Sequence, residues 1–103
     1  MKYALALLSL TFTLNAAAGC PLEAPNKMPV TPDGASASPD TMASSMSAVR
    51  AYVRTIEDLL ECRGIMLSSS HYDELLSKAM DAANAFNTQL RIYQENNETL
   101  AQN

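Results

Sequence analysis

Two stretches of this chain carry apolar residues at alternating spacings of four and three, and that pattern leaves little choice of fold. Met42, Met46, Val49, Val53, Ile56 and Leu60 form the first seam, and Tyr72, Leu76, Ala79, Ala83, Phe86, Leu90 and Tyr93 the second. A repeat averaging three and a half residues places each set along one face of a helix. Each seam covers about 18 to 21 residues, or roughly 30 Å of helix. The connection from Gly64 to Ser69 is short enough to force antiparallel neighbours. The sequence therefore predicts an all-α fold, an antiparallel two-helix hairpin over residues 39–96.

Local signals mark the ends of both helices. Ser38 reads as an N-cap, Pro39 fits the first helical position, and Asp40 suits the positive first turn. Gly64, following Arg63, is expected to close the first helix, with Arg63 a cation suited to the negative C-terminal end. Ser68, Ser69 and Ser70 compete to cap the second helix, and Ser70 would put Asp73 at the capping-box position. Ile65, Met66 and Leu67 are unusually apolar for a turn and are expected to cap the open end of the hairpin. Beyond Asn96 the pattern is lost, so residues 97–103 are expected to fray.

Residues 19–38 belong to a different regime. Pro21, Pro25, Pro29 and Pro32 recur every three or four residues, which precludes helix interior and favours extended backbone. Pro32-Asp33-Gly34 reads as a turn in which glycine accepts the left-handed conformation. Alone, this segment is a linker. Tied down at its start, it becomes a strap.

Whether it is tied depends on two cysteines, Cys20 and Cys62. Met1-Lys2, the apolar run Ala4–Leu14 and the small residues Ala16 and Ala18 form the three-part pattern of a secretory signal over residues 1–18. The apolar run is too short for a bilayer, which needs about 20 residues. Two cysteines in an exported chain favour pairing, because the compartment is oxidising. A bridge closing a loop of about 43 residues should restrict the unfolded chain by roughly 4 kcal/mol. The alternative reads Ala17-Ala18-Gly19-Cys20 as a lipobox, with Cys20 acylated and Cys62 left as a lone thiol. The usual Leu is missing at Ala17.

Cys62 lies about 200° round the helix from Leu60, on a flank with Ala48, Ala51, Tyr52, Thr55 and Leu59. A strap from Cys20 to Pro39 reaches about 55 Å extended, against roughly 35 Å needed to run back along that flank.

Candidate chemistry is sparse. His71 stands beside a serine run and Asp73, but one helix start offers neither a cleft nor an oxyanion site. Helix capping with an exposed imidazole is the simpler account. Glu57, Asp58 and Glu61, with Arg54 nearby, read as a solvated, salt-bridged helix face rather than a carboxylate dyad. Met28, Met42, Met46, Met66 and Met80 could supply soft Cu(I) ligands, yet Met42 and Met46 are seam residues suited to core packing. No phosphate loop, Cys-x-x-Cys or zinc spacing is present. A net charge of -4, one unit more acidic after loss of Lys2, excludes nucleic acid as a plausible partner.

Cys20 after the signal, Pro32-Asp33-Gly34-Ala35, Met42, Val49, Tyr52, Cys62 and the ending Phe86-Asn87-x-x-Leu90-Arg91-x-Tyr93 resemble an uncharacterised family of small exported proteobacterial proteins. The resemblance covers most of the chain beyond the signal and implies export and helical architecture, with no activity attached. This chain has a shorter turn region, Gly64 to Ser70, than that family. The functional expectation is a non-enzymatic periplasmic or secreted protein, without cofactor or metal, acting through an envelope protein or self-association. Leu59, Leu75, Met80 and Ile92 fall off the seams and are candidates for such contact. The alternative is a small lipoprotein anchored through Cys20.

Overall fold

A computed structural model describes residues 20–102, with side chains as far as Glu98; the expected export signal lies outside the described residues. Helix α1 spans Pro39–Arg63, a single 3-10 turn spans Gly64–Met66, and α2 spans Ser69–Gln102. The two helices pack against each other as the antiparallel hairpin that the seams predict. No strand occurs among the described residues. None of their helices is long and apolar enough to cross a membrane.

The start of α1 follows its sequence signals. The Thr41 amide donates to Ser38 Oγ at 3.1 Å, and Pro39 occupies the first turn, where its missing N–H costs nothing. At the other end Gly64 follows Arg63 as the C-cap, as expected. Gly64 is right-handed, with φ -54° and ψ -36°, and carries the chain into the 3-10 turn. Glycine lets the turn lie close to Tyr72: a Cβ would come within 2.9 Å of its ring, which would have to shift. The α2 cap is Ser68 rather than Ser70, with the His71 amide donating to Ser68 Oγ at 3.3 Å. Leu67 is extended, with φ -86° and ψ 149°, so the chain leaves the 3-10 turn directly into a capping geometry at Ser68. Starting there leaves Asp73 beyond the capping-box position. At its far end α2 continues to Gln102, past the expected limit at Asn96.

Buried side chains form two clusters along the hairpin. Near the turn, Tyr52, Ile56, Leu59 and Leu60 of α1 meet Leu75, Ala79 and Ala82 of α2. Toward the open end, Met42 and Val49 meet Phe86, with Met46, Leu90 and Tyr93 partly buried around them. Val53 packs against both. The α1 seam is as predicted, but α2 is turned about its axis: Leu75 is 1% exposed and Leu76 40%. Its inward positions are Tyr72, Leu75, Ala79, Ala82, Phe86, Gln89 and Tyr93, also at alternating spacings of three and four. Leu59 and Leu75, expected on the outer flanks, are core residues, while Met80 and Ile92 remain exposed.

The strap explains that rotation. Cys20 and Cys62 form the disulfide, with Cα atoms 5.8 Å apart, inside the usual range. From there the strap enters the groove between the helices instead of following α1 alone. Ala24 packs on the turn-side cluster and Ala37 on the open-end cluster. Gly34 lies directly on α2, where its amide donates to Gln89 Oε1 at 2.8 Å. Asn96 Nδ2 donates to the Ala35 carbonyl at 3.1 Å. Of the expected α1 flank, Tyr52 and Leu59 are covered, whereas Ala48 and Ala51 stay exposed. Because α2 shares the strap, its buried face turns toward it.

The Pro32-Asp33-Gly34 turn also works differently from its sequence reading. Asp33 Oδ1 accepts from the Ala35 amide at 3.0 Å, and the Asp33 carbonyl accepts from Ala37 at 2.8 Å. That is an aspartate-centred turn. Glycine is required by the closeness of α2, since a Cβ on Gly34 would collide with the Gln89 carbonyl and approach Tyr93 N to 3.0 Å.

Candidate functional site

An antiparallel helix pair has two grooves, one on each side of its contact line. The strap fills one. The other is open, with a volume of about 840 Å³, and no residue of the strap lines it. Its floor is Met46, Val49 and Val53 from α1 and Ala83, Phe86 and Leu90 from α2. These are seam residues of the hairpin: Val49 and Phe86 are buried, and Met46, Val53, Ala83 and Leu90 are half-buried because nothing covers them from this side. The seam pattern that folds the protein thus also supplies an apolar groove.

The α1 rim of the groove carries Arg50 and Arg54, then Glu57, Asp58 and Glu61. The rim is positive in its first half and negative in its second. The expected salt bridges along this face do not form, whereas on α2 Lys78 pairs with Glu74 at 3.2 Å and His71 Nδ1 lies 3.9 Å from the same carboxylate. Arg54 and Glu57 sit three apart on one helix, yet both side chains extend toward solvent at the rim. The α2 rim is uncharged where Asn87 stands. A groove of this kind offers a strip of apolar contact flanked by charges free to meet a partner's.

The remaining candidates disperse. His71 contributes its backbone amide to the Ser68 cap, while its imidazole is exposed beside Glu74. Ser68 and Ser70 hydroxyls meet each other at 3.4 Å rather than the imidazole. Met42 is buried and Met46 half-buried in the open-end cluster, but Met28, Met66 and Met80 are exposed at separate places. Ile65 and Met66 do not close the hairpin end: they are 96% and 81% exposed, and Leu67 alone of the three packs on the core. Cys20 and Cys62 are joined, and Arg63 Nε donates to Cys20 Sγ at 3.2 Å beside the bridge. The open groove was invisible in the sequence because its residues read as ordinary core. Its one legible signal was the run of unlike charges from Arg50 to Glu61.

Compared with protein-family models, with curated proteins and with solved structures, the chain finds no match.

Proposed function

We propose that this chain is a small exported protein, periplasmic or secreted, that acts without catalysis by seating a protein partner in the open groove. The observation that carries this reading is the groove itself, an apolar floor with an unpaired, two-signed rim on α1. Export is supported by the signal pattern over residues 1–18 and by a disulfide, which persists where thiols are not kept reduced. The non-enzymatic reading is supported by the scatter of the candidate side chains, since catalysis needs convergent groups. Exposed apolar strips on small proteins commonly serve association.

A second reading, a lipoprotein acylated at Cys20 with residues 21–38 as spacer, draws on Gly19-Cys20 following small residues. Its thioether would occupy the sulfur that the disulfide uses, so the bridge favours the unacylated form. Partitioning into a detergent phase would separate the two.

The groove reading is tested in cells by placing a photo-crosslinking aromatic at Asn87, on the groove rim, and at Ser77, exposed elsewhere on α2. The expected result is a protein adduct from Asn87 and none from Ser77. Absence of any Asn87 adduct, or equal adducts from both positions, would overturn the reading.

A further inference from the structure

We propose that the occupant of the open groove is a second copy of this chain, packed about a two-fold axis with the two α1 helices antiparallel. The inference rests on the groove being an interaction site and names what fills it.

The charge order of the rim carries the argument. In an antiparallel pair of identical helices, residues equally distant from the crossing point stand opposite each other. With the crossing between Thr55 and Ile56, Arg50 of one copy faces Glu61 of the other, and Arg54 faces Glu57. Asp58 lies one residue further, within reach of the same Arg54. A single choice of axis thus brings both rim cations onto rim acids, and the symmetry makes each meeting twice. These are the charges that α1 leaves unpaired within the chain. The same axis brings Ile65, 96% exposed at the turn, level with Met46 on the groove floor of the other copy.

Other occupants fit this rim less well. A uniformly acidic or basic partner would be attracted along one half and repelled along the other. A second copy, reversed, satisfies both halves. Chains one unit more acidic than the -4 of the full sequence, once Lys2 is lost, repel at a distance, so their approach is favourable only where cations meet acids. The strap and its disulfide occupy the opposite groove and stay outside the contact. A strip from Met46 to Ile65 is about 30 Å long, and two helices are about 20 Å across, giving a footprint near 600 Å² per copy. That is about 1,200 Å² in total, the lower edge of stable interfaces, so a dimer of modest affinity is expected.

The test is sedimentation of the oxidised chain, from Gly19 onward, across a concentration series, with two rim variants. One carries Arg50→Glu and Arg54→Glu and has an all-acidic rim; the other carries Glu57→Arg, Asp58→Arg and Glu61→Arg and has an all-basic rim. The wild-type chain should shift from monomer to dimer, and each variant alone should associate roughly tenfold or more weakly. An equimolar mixture of the two variants should regain the dimer, because every contact becomes complementary again. These positions are exposed at the rim, and unchanged circular dichroism would establish that each variant folds. Weakening of the wild-type dimer by salt is an independent expectation that needs no variant. A wild-type chain monomeric throughout, or a dimer indifferent to both variants, would overturn the proposal. If the chain is monomeric while Asn87 crosslinks a different envelope protein, the groove reading survives and the second copy falls. If Asn87 gives no adduct, both fall.

Discussion

Replacing Gly34 with alanine should undock the middle of the strap while leaving both helices intact. The new methyl would meet backbone, not a flexible side chain: Gln89 C lies 2.9 Å from the ideal Cβ position and Tyr93 N 3.0 Å, with the Gln89 carbonyl closer still. Helix interior cannot yield at those atoms without breaking its own hydrogen bonds, so the strap must retreat by about 1 Å to reach ordinary contact distances. At that displacement the 2.8 Å bond from Gly34 N to Gln89 Oε1 passes the limit of useful geometry. Losing it costs about 0.5–1.5 kcal/mol. Overpacking adds about 1–3 kcal/mol, and the stiffer unfolded chain of alanine offsets up to about 1 kcal/mol of that loss. A net loss of about 2–3 kcal/mol corresponds to a fall in Tm of roughly 10–20 °C for a domain this size. Thermal melting by circular dichroism reads the loss. Hydrogen exchange at Ala37, whose amide is held by the Asp33 carbonyl, reports where it occurs. Gly64→Ala is the internal comparison, because its methyl would press on the edge of the Tyr72 ring, which can swing aside. That variant should lose about 1 kcal/mol or less. A Gly34→Ala protein melting within about 2 °C of wild type would refute the docked strap.

Five other substitutions probe the buried face of α2, its cap and the disulfide. Leu75→Ala should cost about 2–5 kcal/mol and Leu76→Ala under about 1 kcal/mol in denaturant unfolding, and equal costs would contradict the rotated α2 face. Ser68→Ala should lose about 1 kcal/mol of stability while Ser70→Ala loses a few tenths, as measured by melting, because only Ser68 accepts from the His71 amide. Cys62→Ser should keep helical circular dichroism yet drop stability by about 2–4 kcal/mol, and unchanged melting would remove the disulfide from the energetics.

Much of the hairpin was legible because the apolar seam of α1 turns toward α2 as its spacing implies, although Tyr52 and Leu59 beside that seam are buried as well. Its seam, its Ser38 cap and its Pro39 start all follow from local chemistry. The register of α2 was harder. Leu75 and Leu76 are both leucine, and Ala82 and Ala83 both alanine, so hydrophobicity alone does not choose between adjacent faces. The residue that decides is Gln89, which reads as polar surface but turns inward to meet the Gly34 amide. Gly34 reads as a conformational device for a turn and serves close approach to α2 instead, and Gly64, read as the end of α1, also stands close to Tyr72. Such approach depends on tertiary neighbours that no local pattern contains. The candidate groove was the least legible feature. It exists because the strap takes one side of the hairpin and leaves the other, and that is a choice between two faces of one apolar seam.

The central claim is an exported hairpin held to its own N-terminal strap by the Cys20–Cys62 bridge. Intact mass of the protein from a cell-envelope fraction, taken with and without reductant, tests it most directly. The account predicts a mass matching Gly19 to Asn103 that rises by about two hydrogens on reduction. A mass beginning at Cys20 with a lipid increment, unchanged by reductant, would contradict it.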